Sequence, residues 1–248
     1  MYGWRGRIGL IVPSTNTVNE PDFYRHLPDG VTVHTARMRL DQESHKESGD
    51  LSELERMTAK ADRAADLLAT ASVDVLAYGC TSGSFMHGVE YGTALATELE
   101  AATGVPAVTT AGAVCRALDS LGVESVAVAS PYTDDVLARA VDFFEEYGYE
   151  VVDAVGHGID IVGSDLERRS HGAQTAEQAY RQVMEMDHAE ADAVFVSCTN
   201  YHVTDTIEHL EADLGTPVVT SNQATLWAAL RELDVDPTDV SLGRLFEQ

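Results

Sequence analysis

Two stretches, Asp74–Gly83 (DVLAYGCTSG) and Asp192–Tyr201 (DAVFVSCTNY), share one layout: an acidic residue, an apolar run, a small residue and then Cys-Thr. An uninterrupted apolar run of this length, bounded by turn-forming residues, reads as a strand buried on both faces, the kind found inside a parallel sheet. The stretches lie 192 − 74 = 118 positions apart, and the same offset lays Pro13 on Pro131, Thr15 on Thr133, Val18 on Val136 and Cys80 on Cys198. The segments IGLIVPSTNTV (8–18) and VAVASPYTDDV (126–136) are therefore counterparts. After a seven-residue contraction, VPAVTTAGAVCRAL (105–118) also resembles TPVVTSNQATLWAAL (216–230). A repeat of this length implies two similar units that stack.

Outward from these stretches, Val-, Ile- and Ala-rich runs alternate with amphipathic segments of helical period, the pattern of parallel strands joined by crossover helices. Strands are predicted over 7–12, 31–39, 73–78, 107–109, 125–129, 150–155, 193–197 and 217–220, and helices over 51–70, 92–102, 111–121, 133–147, 175–186, 204–214 and 222–233. The expected fold is α/β with two pseudo-symmetric lobes, residues 1–111 and 112–248, each a parallel sheet flanked by helices, with the active site in the cleft between them. The last helix is free to pack back on the first lobe.

Ligands of open parallel sheets bind beyond the carboxyl ends of the strands. Cys80 and Cys198 both fall there, so the fold would set one thiol on each side of a bound molecule. Backbone N–H groups and a helix N-terminus at such a junction favour thiolate, which leads to the expectation of a lowered pKa. Asn16 and Tyr132, on the counterpart turns after the first strand of each lobe, are candidate carboxylate contacts, and Thr81, Ser82 and Thr199 are candidate donors to an enolate-like oxygen. Cys115 lies inside a helical run and reads as a small core residue. Trp4 and Trp227 read as packing residues. The glycine-containing stretch Gly156–Ser164 lacks the spacing of a nucleotide-binding loop and reads as a cover for the cleft. Arg168 and Arg169 read as a solvated helix start.

Composition narrows the partners. Sixteen Lys and Arg against 41 Asp and Glu give a formal charge of −25, which repels nucleic acid and anionic membranes. The acidic residues are spread over predicted helix faces, as in a solvating surface, and suit a high-salt environment. No run approaches the roughly 18 apolar residues of a membrane span, so a cytoplasmic location is expected. The three cysteines lack CxxC spacing and the nine histidines form no HExxH pattern, so neither a disulfide framework nor a metal site is expected, His87 and His202 included.

The segments GLIVPSTNT (9–17), GCTSGSFMHG (79–88), PAVTTAGAVCRALDSLGVESVAVASPYTDDV (106–136), GIDIVGSDLERRS (158–170), SCTNYH (197–202) and GTPVVTSNQATLWAAL (215–230) together resemble the aspartate/glutamate racemase superfamily. Within it they are similar to the branch of maleate cis–trans isomerases, arylmalonate decarboxylases and ectoine-utilisation proteins. The resemblance implies a cofactor-independent isomerase of a small carboxylate, a homo-oligomer of two or four chains. In it Cys80 would add to an alkene carbon, Cys198 would act as acid/base partner, and Asn16 and Tyr132 would hold carboxylates. Three alternatives remain open. One is an amino-acid or hydantoin-type racemase using both thiols on opposite faces of one carbon. Another is an arylmalonate decarboxylase-like or ectoine-utilisation enzyme, although decarboxylase members carry only the second thiol. The third is a non-catalytic small-anion sensor. One departure is the stretch GIDIVGSD (158–165), which is similar to the decarboxylase version of a loop where isomerase members carry a substrate-binding Asn.

Overall fold

A computed structural model describes residues 2–41, 51–159 and 170–248. Eight strands form two parallel four-stranded sheets. The first contains β1 (Gly6–Pro13), β2 (Val31–Met38), β3 (Val75–Tyr78) and β4 (Ala107–Thr109) in the order β2-β1-β3-β4. The second contains β5 (Ser125–Ser130), β6 (Glu150–Gly156), β7 (Ala193–Val196) and β8 (Val218–Thr220) in the order β6-β5-β7-β8, the same arrangement. Every residue of β3 and β7 is buried, as their continuous apolar runs require of strands covered on both faces. The expected α/β class with two sheets is the one observed.

The repeat extends to individual hydrogen bonds. Asp74 N–H donates to the Arg7 carbonyl at 2.8 Å, and Arg7 N–H returns a bond of 2.8 Å to Asp74 Oδ2. Asp192, its counterpart, clamps the start of β5 in the same way: its N–H donates to the Ser125 carbonyl at 3.0 Å, and Ser125 N–H donates to Asp192 Oδ2 at 2.9 Å. At the other end of these strands, Gly79 N–H reaches the Ile11 carbonyl at 2.7 Å and Ser197 N–H reaches the Ala129 carbonyl at 2.8 Å. Each carboxylate fixes strand register at one end so that a cysteine leaves the sheet at the same level at the other.

The two sheets share a core. Ile8, Leu10 and Val75 of the first belong to the same buried cluster as Val126, Val128 and Phe195 of the second. The helix Ser221–Glu232 is buried from Ser221 to Leu230, and it packs against β3 and β4 as well as the helix Thr110–Ser120. Thr225 Oγ1 donates to Thr110 Oγ1 at 3.0 Å where these two helices meet.

Some details differ from the sequence reading. The predicted helix 51–70 is divided: residues 51–58 are helical, and a second helix runs Ala61–Ala69. Lys60 between them sends its ammonium to the Arg39 carbonyl at 2.5 Å. The helix Asn19–His26 was not foreseen. Its apolar period is nearly absent, with Phe23 the one buried apolar side chain, and Pro21 in its first turn costs no helical bond because the first four N–H groups have no intrahelical acceptor. Trp227 is buried as expected, whereas Trp4 stays 67% exposed and lies over Gly30. Residues 160–169, which include most of the GIDIVGSD stretch and both Arg168 and Arg169, lie outside the described residues. Among the described residues no helix is long and apolar enough to cross a membrane.

Phe195 is fully buried on β7 and meets Phe144 edge-on, with centroids 5.3 Å apart. Truncation by Phe195→Ala is expected to cost about 3–5 kcal/mol of stability, read from urea unfolding; a loss below about 1 kcal/mol would contradict its place in the shared core.

Candidate active site

Both cysteines sit immediately beyond their strands. Cys80 is the N-cap of the short helix Thr81–Phe85, in extended conformation with φ −145°. Cys198 has φ +102°, a region costly for any side chain-bearing residue, by about 1–3 kcal/mol. The strain is held in place by three bonds: Cys198 N–H to Ser221 Oγ at 3.0 Å, Asn200 N–H to Cys198 Sγ at 3.4 Å and Tyr201 N–H to the Cys198 carbonyl at 3.2 Å.

Two bridges tie the cysteine turns together across the lobes. In the first, Ser221 Oγ accepts both from Cys198 N–H and from Thr81 Oγ1, the latter at 2.8 Å. In the second, Thr199 Oγ1 donates to the Gly79 carbonyl at 3.0 Å and accepts from Asn16 Nδ2 at 3.0 Å. The Tyr132 hydroxyl accepts from Ser197 Oγ at 3.2 Å. The two thiols are close enough for the charge of Cys80 to raise the pKa of Cys198. Thus Asn16, Cys80, Thr81, Ser82, Tyr132, Cys198 and Thr199, drawn from both halves of the sequence, form one buried constellation.

Their individual roles are narrower than residue type alone implies. The Asn16 Oδ1 atom accepts from Val18 and Asn19 N–H groups at 3.0 and 2.9 Å, so this side chain is already a bracket between turn and lobe, with its amide facing Thr199. Ser82 Oγ lies 3.9 Å from Cys80 Sγ.

The expectation of lowered thiol pKa values is overturned. Burial is the largest influence on both and pushes Cys80 above the ordinary thiol range and Cys198 up to about 12, against the opposing hydrogen bonds from Gly83 N–H and Asn200 N–H. The helix-dipole argument fails locally: the helix after Cys80 has five residues, and no helical turn begins after Cys198 until Thr204. In so short a helix the dipole is small, and the low-dielectric surroundings dominate.

Two contributors escaped the sequence reading. Ser221 was visible in principle, because 221 − 110 = 111 equals the repeat offset less the seven-residue contraction and pairs it with Thr110. His171 carried no such signal; it is buried, its Nδ1 lies 3.4 Å from Cys198 Sγ, and its ring centroid is 5.6 Å from that of Tyr132. The residues set aside stay apart. Cys115 is fully buried inside the helix Thr110–Ser120. His87 faces Glu55 at 3.3 Å and His202 faces Asp205 at 3.0 Å. Among the described residues no group of three or more His, Cys, Asp or Glu could hold a metal ion.

Residues 8–246 match the arylmalonate decarboxylase family. The chain belongs to that family. It is 32% identical to a maleate isomerase of Pseudomonas putida over 252 residues, 96% of each chain. An arylmalonate decarboxylase of Bordetella bronchiseptica is 33% identical over 151 residues, 61% of each. Among solved structures, a cysteine-to-alanine variant of the maleate isomerase Iso from Pseudomonas putida S16 with maleate superposes with a TM-score of 0.86 at 28% identity, covering 97% of each chain. The branch expected from the sequence is the one found, and the chain is a maleate isomerase-like enzyme.

Two outcomes follow from this geometry. Because both thiols are held protonated by burial, iodoacetamide should label Cys80 and Cys198 of the ligand-free protein more slowly than free cysteine at pH 7.5, with the rate climbing as pH rises beyond 9 and thiolate forms; a rate already level by pH 7 would contradict this. Ser221→Ala leaves the Thr81 hydroxyl and Cys198 N–H without their shared acceptor and is expected to lower stability by about 1–3 kcal/mol, measured by chemical denaturation, where an unchanged midpoint would count against the bridge.

Proposed function

We propose that this enzyme interconverts maleate and fumarate without a cofactor, with Cys80 as nucleophile and Cys198 as its acid/base partner. The observation that carries the reading is the pairing of two buried thiols at counterpart strand ends, bridged through Thr81, Ser221 and Thr199.

The chemistry needs little else. Cys198, in its thiolate form, takes the hydrogen of the Cys80 thiol; the electrons of that S–H bond stay on the Cys80 sulfur and form its bond to one alkene carbon, and the π electrons move to the neighbouring carbon and into its carboxylate. The former double bond is now single and rotates; collapse of the enediolate re-forms the double bond in the trans sense and expels the thiolate. No electrons are gained or lost, so no redox group is required. Addition places extra negative charge on a carboxylate, and donors fixed beforehand stabilise it better than mobile water does. Tyr132, Ser82 and the remaining N–H of the Asn16 amide are the groups assigned to that task; Thr81 and Thr199, expected as donors there, give their hydroxyl hydrogens to Ser221 and to the Gly79 carbonyl and hold the cysteine turns in place instead. Burial of the site strengthens each such interaction. A small carboxylate as substrate, action in the cytoplasm and assembly into a dimer or tetramer belong to the same proposal.

Cys80→Ser and Cys198→Ala should each lower maleate turnover by roughly three orders of magnitude or more, followed by proton NMR, with circular dichroism unchanged. Full activity in either variant would end the proposal. The racemase alternative is separated in deuterated water: solvent deuterium at the α-carbon of aspartate or glutamate would favour it over isomerisation.

A further inference from the structure

The raised thiols pose a problem that the two cysteines cannot solve between themselves. A thiolate must form inside a buried site of a chain with formal charge −25, where a lone anion is disfavoured by desolvation and by the surrounding charge alike. His171 offers an answer. Its Nε2 lies 2.8 Å from the Ile159 carbonyl, and a carbonyl only accepts, so Nε2 carries the ring hydrogen of the neutral imidazole. The lone pair is then on Nδ1, which faces Cys198 Sγ at 3.4 Å. The same sulfur accepts from Asn200 N–H on another side. The thiol hydrogen therefore has a base directly before it.

The ring is fixed from several directions. It is 5% exposed and tilts against Tyr132. A Cβ on the neighbouring Gly172 would come within 2.7 Å of both Asn200 Oδ1 and Thr17 Oγ1, so the chain passes too close to both lobes for a side chain there. Titratable groups that meet the ring include the Cys198 thiol and the Tyr132 phenol.

We propose that His171 is the base for Cys198, so that thiolate at this position is made as a thiolate–imidazolium pair. In the transfer the Cys198 S–H bond breaks, its electrons stay on sulfur, and the hydrogen forms a bond to His171 Nδ1. The transfer leaves the total charge of the pair unchanged. His171 is thus a positioning and proton-holding residue acting through Cys198. Its role in turnover rests on the isomerase reading above, while its effect on the thiol does not.

The test compares wild type with His171→Gln, whose amide still donates to the Ile159 carbonyl but accepts no proton at neutral pH. Peptide-resolved mass spectrometry follows iodoacetamide labelling of Cys198 across pH. Wild type is expected to label at least tenfold faster than the variant near pH 7.5, with the difference closing at high pH. Maleate turnover should fall at least tenfold in kcat with KM changed less than threefold, and exogenous imidazole should restore activity to His171→Gly. Equal labelling rates and pH profiles in wild type and His171→Gln overturn the proposal. A wild type that leaves maleate untouched while the labelling difference stands overturns the substrate reading and supports the pair. Should the variants fail to fold, nitrogen-15 NMR of wild type decides: hydrogen on Nε2 supports the assignment, and hydrogen on Nδ1 in the neutral ring overturns it.

Discussion

Hydroxyl bridges hold the two halves of the site together. Ser221 Oγ accepts from Thr81 of the first cysteine turn and from the backbone N–H of Cys198 in the second, so the distance between the turns is set by a side chain that belongs to neither. Because Ser221 opens the helix that packs between the sheets, this junction is anchored in the core. The strained φ of Cys198 persists because its N–H, carbonyl and sulfur are each engaged. Strain of this kind is sustained only where surrounding bonds over-determine the backbone.

The electrostatics follow from the same enclosure. A site deep enough to strengthen hydrogen bonds to an enediolate also penalises the thiolate that must attack. Burial prevails over the local N–H donors at both sulfurs, and the like charge of one thiolate opposes ionisation of the other. Only one anion at a time is therefore favoured. A nucleophile on one lobe with a protonated partner on the other is the arrangement such a site supports.

The fold was legible because its signals are local or periodic. Asp74 and Asp192 head apolar runs that can only be interior strands, and the common offset exposes their equivalence; both indeed clamp the neighbouring strand in the same way. The site was legible in part for the same reason, since strand-end position follows from sequence. What could not be read was burial, a property of the assembled core, and it reversed the expected direction of both thiol shifts. The helix Asn19–His26 escaped because its buried face includes Asn19 and Asp22 beside Phe23, a pattern with no apolar period. His171 escaped because it reaches Cys198 from 27 positions away in the chain through a segment without repeat or motif.

The most direct test of the account is peptide mapping by mass spectrometry of the Cys198→Ser protein after incubation with maleate. With the second thiol gone, addition to Cys80 should outlast elimination and leave the mass of one maleate on the Asp74–Gly83 region and nowhere else. Unmodified Cys80 in protein that retains its fold, or an adduct carried by Cys115 instead, would contradict it.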